Sequence, residues 1–225
     1  MPSLARWLDC RATSFVLCTV VTVVIGYVGV SNPPLAVALM AEDSAVEWVQ
    51  VLLMAGTGAL AAGQGWAALR AGEPVAFEVM IVATMVMACL GEIDLDRKLF
   101  GIKVVATRFF VNPKYSLALR ALAVLVIVGA PAAVGVWLLR RWRQVLRASL
   151  EALREPWGQT AAVGATIYVV TQIFEGPIDR IPWQQHHLIE ELLELLAAVC
   201  MSIGLAARQG LGIRLLRRLG RPEVR

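Results

Sequence analysis

Six continuously apolar segments separated by short polar links dominate this chain of 225 residues. They cover about residues 14–30, 44–69, 75–91, 117–139, 157–174 and 187–207. A helix needs about 20 apolar residues to cross a bilayer, and the backbone in the hydrocarbon must hydrogen-bond internally. Strands of a membrane barrel are shorter, about 10 residues of alternating polarity. The pattern therefore predicts an all-α integral membrane protein, with residues 1–225 forming one domain of six transmembrane helices.

The composition agrees with this class and excludes several others. Hydrophobic residues make up 58% of the chain, whereas soluble domains contain about 45–50%. The four cysteines form no CxxC pair, which argues against a zinc ribbon or a thiol redox motif. The chain has no P-loop, and its two histidines are adjacent, so they cannot ligate one haem from opposite sides. Neither a nucleotide nor a haem is expected.

The distribution of basic residues indicates the orientation. If the N-terminus is cytoplasmic, two thirds of the 21 Lys and Arg residues fall in the cytoplasmic links and in the arginine-rich tail. This is the bias of the positive-inside rule. An even number of spans returns the C-terminus to the same side. We therefore predict a multi-pass protein of a bacterial-type inner (plasma) membrane with both termini in the cytoplasm.

The link from Arg140 to Glu155 carries apolar residues at helical spacing among arginines. These apolar positions are Val145, Leu146, Leu150 and Leu153. A basic amphipathic helix of this kind lies along a membrane surface, where its arginines meet anionic lipid. The expected partners are therefore the bilayer and its anionic lipids at the cytoplasmic face, and no nucleic acid.

Acidic residues gather at the opposite, extracytoplasmic ends of the apolar segments. Four pairs are spaced i, i+4, which places both carboxyl groups of a pair on one helix face. Like charges repel there, and partial burial adds a desolvation cost to each ion. A bound cation, an arginine partner or a retained proton would each relieve the conflict. The pairs are Asp43 and Glu47, Glu92 and Asp96, Glu175 and Asp179, and Glu190 and Glu194.

The densest group is at the start of the sixth segment, where His187, Glu190, Glu191 and Glu194 share one helix face. Imidazole together with carboxylate suits Zn, Mn or Fe, and carboxylates alone suit Mg or Ca. We therefore predict His187, Glu190 and Glu194 as metal ligands. Two alternatives stay open. The histidines could cap the helix while the glutamates pair with arginines, or the group could line a proton or cation pathway. The arginines available for such pairs are Arg97, Arg108, Arg120 and Arg180.

Two further acidic blocks could contribute to the same site. Asp94 follows the third segment, and Glu175 ends the fifth beside a helix-breaking Gly-Pro. We predict Asp94 and Glu175 as additional ligands, with local pairing to the neighbouring basic residues as the alternative. Glu47 and Glu92 lie at the ends of the second and third segments, and each is a candidate general base for a metal-bound water.

Three short motifs carry a resemblance to known sequences. Glu42-Asp43-x-x-x-Glu47-Trp48-x-Gln50, Glu92-x-Asp94 and Glu190-Glu191-x-x-Glu194 together resemble a group of uncharacterised bacterial multi-span inner-membrane proteins. The resemblance implies a polytopic helical fold and brings no activity with it.

The leading functional expectation is a carboxylate and histidine site at the extracytoplasmic leaflet that binds a divalent cation and acts on a lipid-linked substrate. Whether the protein is an enzyme is left open. One alternative is a non-catalytic subunit or assembly factor of a larger membrane complex, with other membrane subunits as partners. The other is an ion-coupled transporter, since the first and last three spans have the opposite orientations that an inverted repeat requires.

Overall fold

The computed structural model describes residues 45–93, 114–175 and 186–209, together with Lys98, Gly101, Phe109 and separate positions between Val16 and Leu35. Within these ranges the chain is helical and has no strand. The helices are α1 (Ala45–Arg70), α2 (Ala76–Glu92), α3 (Leu117–Arg140), α4 (Trp142–Arg154), α5 (Pro156–Glu175) and α6 (His186–Arg208).

Five of the helices coincide with predicted apolar segments, and their ends differ from the prediction by about one residue. The all-α class is thus confirmed for the described ranges. The first predicted segment falls on the separately described positions, and those from Val16 to Ser31 are helical. The amphipathic link also forms a helix, α4, as its periodicity predicted.

Among the described residues, two helices, α1 and α3, are long and apolar enough to cross a membrane. They differ in how much of their surface is covered. In the most apolar stretch of α3, 6% of the residues are buried, compared with 39% in α1. The core helix of a soluble protein would be mostly buried, so the exposed apolar surface of α3 needs a non-aqueous environment or a partner.

Proline shapes the middle of α3. Residues Leu125–Gly129 form a π-helical turn, in which the Ala130 N–H donates to the Leu125 carbonyl. Pro131 follows directly. It has no N–H, and its ring would collide with the carbonyl four residues earlier, so the preceding turn widens. The kink that Pro131 predicts therefore takes the form of a π-helical turn.

A tight turn joins α1 to α2. Gly72 has a φ of +75°, a conformation that glycine adopts without steric cost. The Glu73 N–H donates to the Ala68 carbonyl at 2.9 Å, and the Gly72 N–H donates to Leu69 at 3.2 Å. This arrangement is a Schellman cap, which stops a helix and reverses the chain.

The chain divides into two compact units. The first, termed the hairpin unit, contains residues 1–60 and 149–225 and therefore the start of α1 with α5 and α6. The second, termed the central unit, contains residues 61–148 and therefore α2 and α3. In the central unit, α2 packs against the second half of α3. In the same unit, Gly65 on α1 leaves room for the buried Glu78 on α2. A Cβ at position 65 would be 3.1 Å from the Glu78 Cβ.

Glycine also permits the close packing of α5 on α6 in the hairpin unit. A Cβ at Gly164 would be 2.7 Å from the Ala197 carbonyl oxygen, and one at Gly204 would be 2.7 Å from the Trp157 carbonyl oxygen. Because residue 164 meets 197 and residue 157 meets 204, the two helices run antiparallel. Small residues at such contacts let helix backbones approach closely in membranes.

The glycines of α1 do not all have this role. A Cβ at Gly56 or at Gly63 would have no atom within 4 Å. Of Gly56, Gly63 and Gly65, only Gly65 has a neighbour close enough to require glycine.

Candidate cation site

Polar side chains connect α1 to α6 at three levels. The partners rise together along both helices, which shows that α1 and α6 run parallel. In a chain that crosses a membrane repeatedly, two helices run parallel when an even number of crossings separates their starts. The contacts are Gln50 Nε2 to the Glu191 carbonyl at 2.8 Å, Thr57 Oγ1 to Ser202 Oγ at 2.7 Å, and Gln209 Nε2 to the Leu60 carbonyl at 3.0 Å.

Helix α5 contributes to the same end of the hairpin unit. Gln172, near the end of α5, donates from Nε2 to Glu194 Oε1 at 3.2 Å. The start of α6 therefore lies beside the start of α1, through Gln50, and beside the end of α5, through Gln172. We call this end of the hairpin unit the acidic end, because it carries Glu47, Glu190, Glu191 and Glu194.

The other end of the hairpin unit is basic. The Arg208 guanidinium lies over the Trp157 ring, 5.0 Å from its centroid. This contact joins the end of α6 to the start of α5. This end, which we call the basic end after Arg208, also carries Glu151, Arg154 and Glu155, so both signs of charge are present there.

Gln50 and Glu191 form the unusual part of the acidic end. Gln50 is 0% exposed, and its amide nitrogen is used by the Glu191 carbonyl. The Gln50 side chain also hydrogen-bonds to the Glu191 carboxyl group, but Gln50 Oε1 and Glu191 Oε2 are both buried and have no hydrogen-bond partner among the described residues. A buried polar atom without a partner costs about 1–3 kcal/mol, and both of these atoms are acceptors. What they lack is a donor or a positive charge.

Neighbouring carboxyl groups add to this demand. Glu47 on α1 and Glu190 on α6 both interact electrostatically with Glu191. Glu194 is one helical turn further along α6 and is 6% exposed. Partly desolvated like charges at such proximity are unfavourable unless a cation or a proton compensates them.

The structure brings three of the predicted site residues together, and the others lie elsewhere or have side chains outside its described part. Glu47, Glu190 and Glu194 all lie at the acidic end of the hairpin unit. Glu92 is the last residue of α2 and belongs to the central unit, where its charge acts on Cys89. His187 and Glu175 are within α6 and α5, but their side chains are outside the described part of the structure, as is all of Asp94.

Sequence reasoning missed the two central groups of the site. Glu191 was placed on the acidic face of α6 but was not chosen as a ligand, and Gln50 was noted as part of a motif alone. A signal for Gln50 was available: it is three residues after Glu47 and therefore lies on the same face of α1.

The ligand chemistry of the acidic end is that of a hard cation. Carboxylate oxygens and an amide oxygen suit Mg²⁺, Ca²⁺ or Mn²⁺. Within residues 45–93, 114–175 and 186–209, no three His, Cys, Asp or Glu side chains are close enough together to hold a metal ion by themselves. Mg²⁺ often binds to one or two carboxylates and takes its other ligands from water and substrate phosphates.

No family model matches the chain, and neither the curated proteins nor the solved structures contain a match.

Proposed function

We propose that this is a six-span protein of a bacterial-type inner membrane, with both termini cytoplasmic, that binds a divalent cation at the acidic end and acts on a lipid-linked substrate. The observation that carries the proposal is the pair of buried acceptors, Gln50 Oε1 and Glu191 Oε2, for which no donor exists within the described residues. Mg²⁺ is the favoured ion because both of these acceptors are oxygens.

Helix length and the position of Arg208 support the membrane part. The rise along α6 from Glu191 to Arg208 is about 26 Å at 1.5 Å per residue, close to the hydrocarbon thickness of about 30 Å. The acidic and basic ends of the hairpin unit are therefore separated by about one membrane core. The positive-inside rule then assigns the Arg208 end to the cytoplasm.

Helix α2 supports the same assignment, although it is 17 residues long. That length is at the lower limit of transmembrane helices, about 17–25 residues. Its sequence from Val79 to Leu90 contains no charged residue. The parallel direction of α1 and α6 is a further support, since both would run from the extracytoplasmic side to the cytoplasm.

A phosphate-bearing lipid is the favoured substrate class. A cation held by Glu191 and the Gln50 amide oxygen keeps open coordination positions, and phosphate oxygens are the ligands that Mg²⁺ accepts there. The site is at the end of a hairpin whose surface would face lipid, so a substrate anchored in the bilayer can reach it by lateral diffusion. Glu190, Glu194, His187 and Glu175 remain candidate ligands in this proposal, and Glu47 is the candidate base; Glu92 and Asp94 belong to the central unit and are not part of it.

Isothermal titration of the purified full-length protein with MgCl₂ and MnCl₂ tests the proposal. We expect Glu191→Gln, which keeps the shape and removes the charge, to weaken cation binding at least tenfold, equivalent to about 1.4 kcal/mol. Glu151→Gln on the exposed surface of α4 is the matched control and should bind as the wild type does. Addition of a long-chain lipid phosphate should tighten Mg²⁺ binding in the wild type. Equal cation affinity in the wild type and in Glu191→Gln would refute the site.

The orphan acceptors also favour a second function, ion-coupled transport with the proton as the ion. A single proton on Glu191 would supply one missing donor without any metal, and protonatable groups inside a helical membrane protein often belong to proton relays. Proteoliposomes with an imposed pH gradient separate the two functions. Proton flux that depends on Glu191 but not on divalent cations would favour the transporter.

A further inference from the structure

Helix α4 exposes its apolar side. Trp142, Leu146, Leu150 and Leu153 are at successive turns of one face, and their side chains are 53%, 47%, 51% and 44% exposed. An ordinary surface helix turns such a stripe toward the core. In α4 the stripe has no cover within the described part of the chain, so this face requires a non-aqueous partner.

Arginines follow one edge of that face. At 100° per residue, Arg143, Arg147 and Arg154 fall within a narrow arc beside the apolar stripe, and all three are exposed. Glu151 lies farther from the stripe, beyond the arginines. The combination of an apolar face with a cationic edge is that of a helix lying at the level of lipid headgroups, where apolar atoms enter the acyl boundary and arginines meet phosphates.

The start of α4 adds a defined anion-binding feature. A surface depression of about 400 Å³ is lined by Arg140, Arg141, Trp142, Arg143 and Gln144. That volume is within the range of small-ligand sites, about 300–1,000 Å³. Three guanidinium groups around one depression select an anion, because Arg donates several hydrogen bonds to phosphate oxygens.

Aromatic rings hold two of these arginines. The Arg141 guanidinium lies over the Trp137 ring at 4.1 Å from its centroid, and that of Arg143 lies over the Trp142 ring at 5.6 Å. Tryptophan is enriched at membrane interfaces. A guanidinium already placed on a ring loses less side-chain entropy when an anion binds.

The other end of α4 is fixed to the hairpin unit. The Gln159 side chain donates from Nε2 to the Leu153 carbonyl at 2.9 Å, and Gly158 lies directly against the Ala152 carbonyl. A side chain at position 158 would push the two helices apart. The angle between the end of α4 and the start of α5 is therefore set by packing at the basic end, where Arg208 also lies.

We infer that α4 is a membrane-surface anchor that docks on anionic phospholipid, with a headgroup phosphate in the Arg140–Gln144 depression and the Trp142–Leu153 face in the acyl boundary. The inference rests on the membrane part of the proposed function and is independent of the cation site. The cationic edge selects lipid as the occupant, because an apolar stripe that docked on a protein core would not require arginines along one side. Each arginine near an anionic membrane surface contributes about 1 kcal/mol to the free energy of membrane binding, which is about fivefold in the partition coefficient.

Spin-label accessibility in the full-length protein tests this inference. With the native cysteines replaced, a label is attached at Leu146→Cys on the apolar face or at Glu151→Cys, well away from it. The protein is placed in nanodiscs of phosphatidylcholine, with or without phosphatidylglycerol. We expect phosphatidylglycerol to make the label at 146 accessible to dissolved oxygen and protected from a water-soluble nickel chelate, while the label at 151 stays accessible to nickel.

Charge variants complete the test. Arg140→Gln, Arg141→Gln and Arg143→Gln together should raise the phosphatidylglycerol fraction needed for this response at least fivefold. Removal of three tail arginines, Arg214, Arg217 and Arg218, changes the net charge equally and should leave the response intact. Equal effects of both triple variants would overturn the headgroup site. A label at 146 that the nickel chelate reaches in both lipid compositions would also overturn it. Protection of that label from both oxygen and nickel would overturn it as well, because it would show that protein covers the face. Failure of the chain to enter nanodiscs would instead refute the membrane part.

Discussion

Gln50 on α1 donates its amide nitrogen to the backbone carbonyl of Glu191 on α6 at 2.8 Å, and this bond leaves an orphan acceptor on each of the two side chains. The bond joins two parallel helices at their acidic end, where Glu47 and Glu190 add negative charge. A structural cross-link would be expected to satisfy its own polar atoms. This one holds two acceptors without a donor among the described residues, and the proposed cation would supply the positive charge that they lack.

The first prediction concerns the charge at position 50. Gln50→Glu keeps the size of the side chain and places a further carboxylate beside Glu191. We expect the free energy of unfolding of the variant to be lower by about 3–5 kcal/mol at alkaline pH without divalent cations, because that is the cost of an uncompensated buried charge. Millimolar Mg²⁺ should recover most of the loss. Thermal unfolding in detergent, with and without the ion, measures both effects.

Gln144→Glu on the exposed surface of α4 is the control for that experiment, and it should change stability by less than about 0.5 kcal/mol. A Gln50→Glu protein as stable as the wild type, with no response to Mg²⁺, would mean that position 50 does not contact a cation site.

The second prediction concerns the hydroxyl pair between α1 and α6. Thr57 Oγ1 and Ser202 Oγ are 2.7 Å apart, and Thr57 is 2% exposed. A double-mutant cycle of Thr57→Val and Ser202→Ala should give a coupling of about 0.6 kcal/mol and at most about 1.7, the range for such bonds in membrane proteins. One hydroxyl donates to the other, and the second can donate to a carbonyl of its own helix, Leu53 for Thr57 or Ala198 for Ser202, which limits the loss. Additive single variants would show that the bond does not stabilise the pairing of the helices.

The third prediction concerns the packing of α5 on α6. Gly164→Ala would bring a Cβ to 2.7 Å from the Ala197 carbonyl oxygen and 3.0 Å from the Cys200 Cβ. Neither backbone nor Cβ can move away easily, so we expect a destabilisation of about 1–3 kcal/mol. Gly56→Ala is the matched control on α1, where no atom lies within 4 Å, and it should be neutral or stabilising by up to about 1 kcal/mol. Equal melting temperatures for the two variants would contradict the close α5–α6 contact.

The fourth prediction concerns topology. Ser116 precedes α3, and Glu73 lies in the turn between α1 and α2; both are exposed. In a protein without native cysteines, Ser116→Cys should react with an impermeant maleimide in intact cells. Glu73→Cys should react only after the membrane is permeabilised. The reverse pattern would invert the orientation, and labelling of both positions in intact cells would mean that α2, the helix between them, does not cross the membrane.

Much of the fold could be predicted because its determinants are local. The apolar segments are long enough to predict helices by themselves, and the ends of α1, α2, α3, α5 and α6 follow their polar boundaries. Pro131 predicted a distortion of α3 because the lack of an N–H and the clash of the ring act within one turn. The face of α4 followed from the spacing of Leu146, Leu150 and Leu153 alone.

The details of the candidate site depend on contacts that spacing does not encode. Glu190, Glu191 and Glu194 are the same residue type near the start of one helix. Each carboxyl group therefore has the same intrinsic preference for water or for a hydrogen-bonding or cationic partner. Their environments differ because α1 and α5 approach α6 from particular directions: Gln172 reaches Glu194, while Gln50 reaches the backbone at Glu191 and leaves its side chain partly unsatisfied.

The sequence by itself therefore determined the helices, their ends, and the grouping of acids and arginines at opposite ends of apolar segments, since chain length and hydrophobicity act along one helix at a time. Only the tertiary structure decided that α1 and α6 run parallel, that Gln50 is buried against Glu191, and that α4 turns its apolar face outward. Those features depend on the rotation of one helix about its axis relative to its neighbours, and packing between residues far apart in the chain sets that rotation.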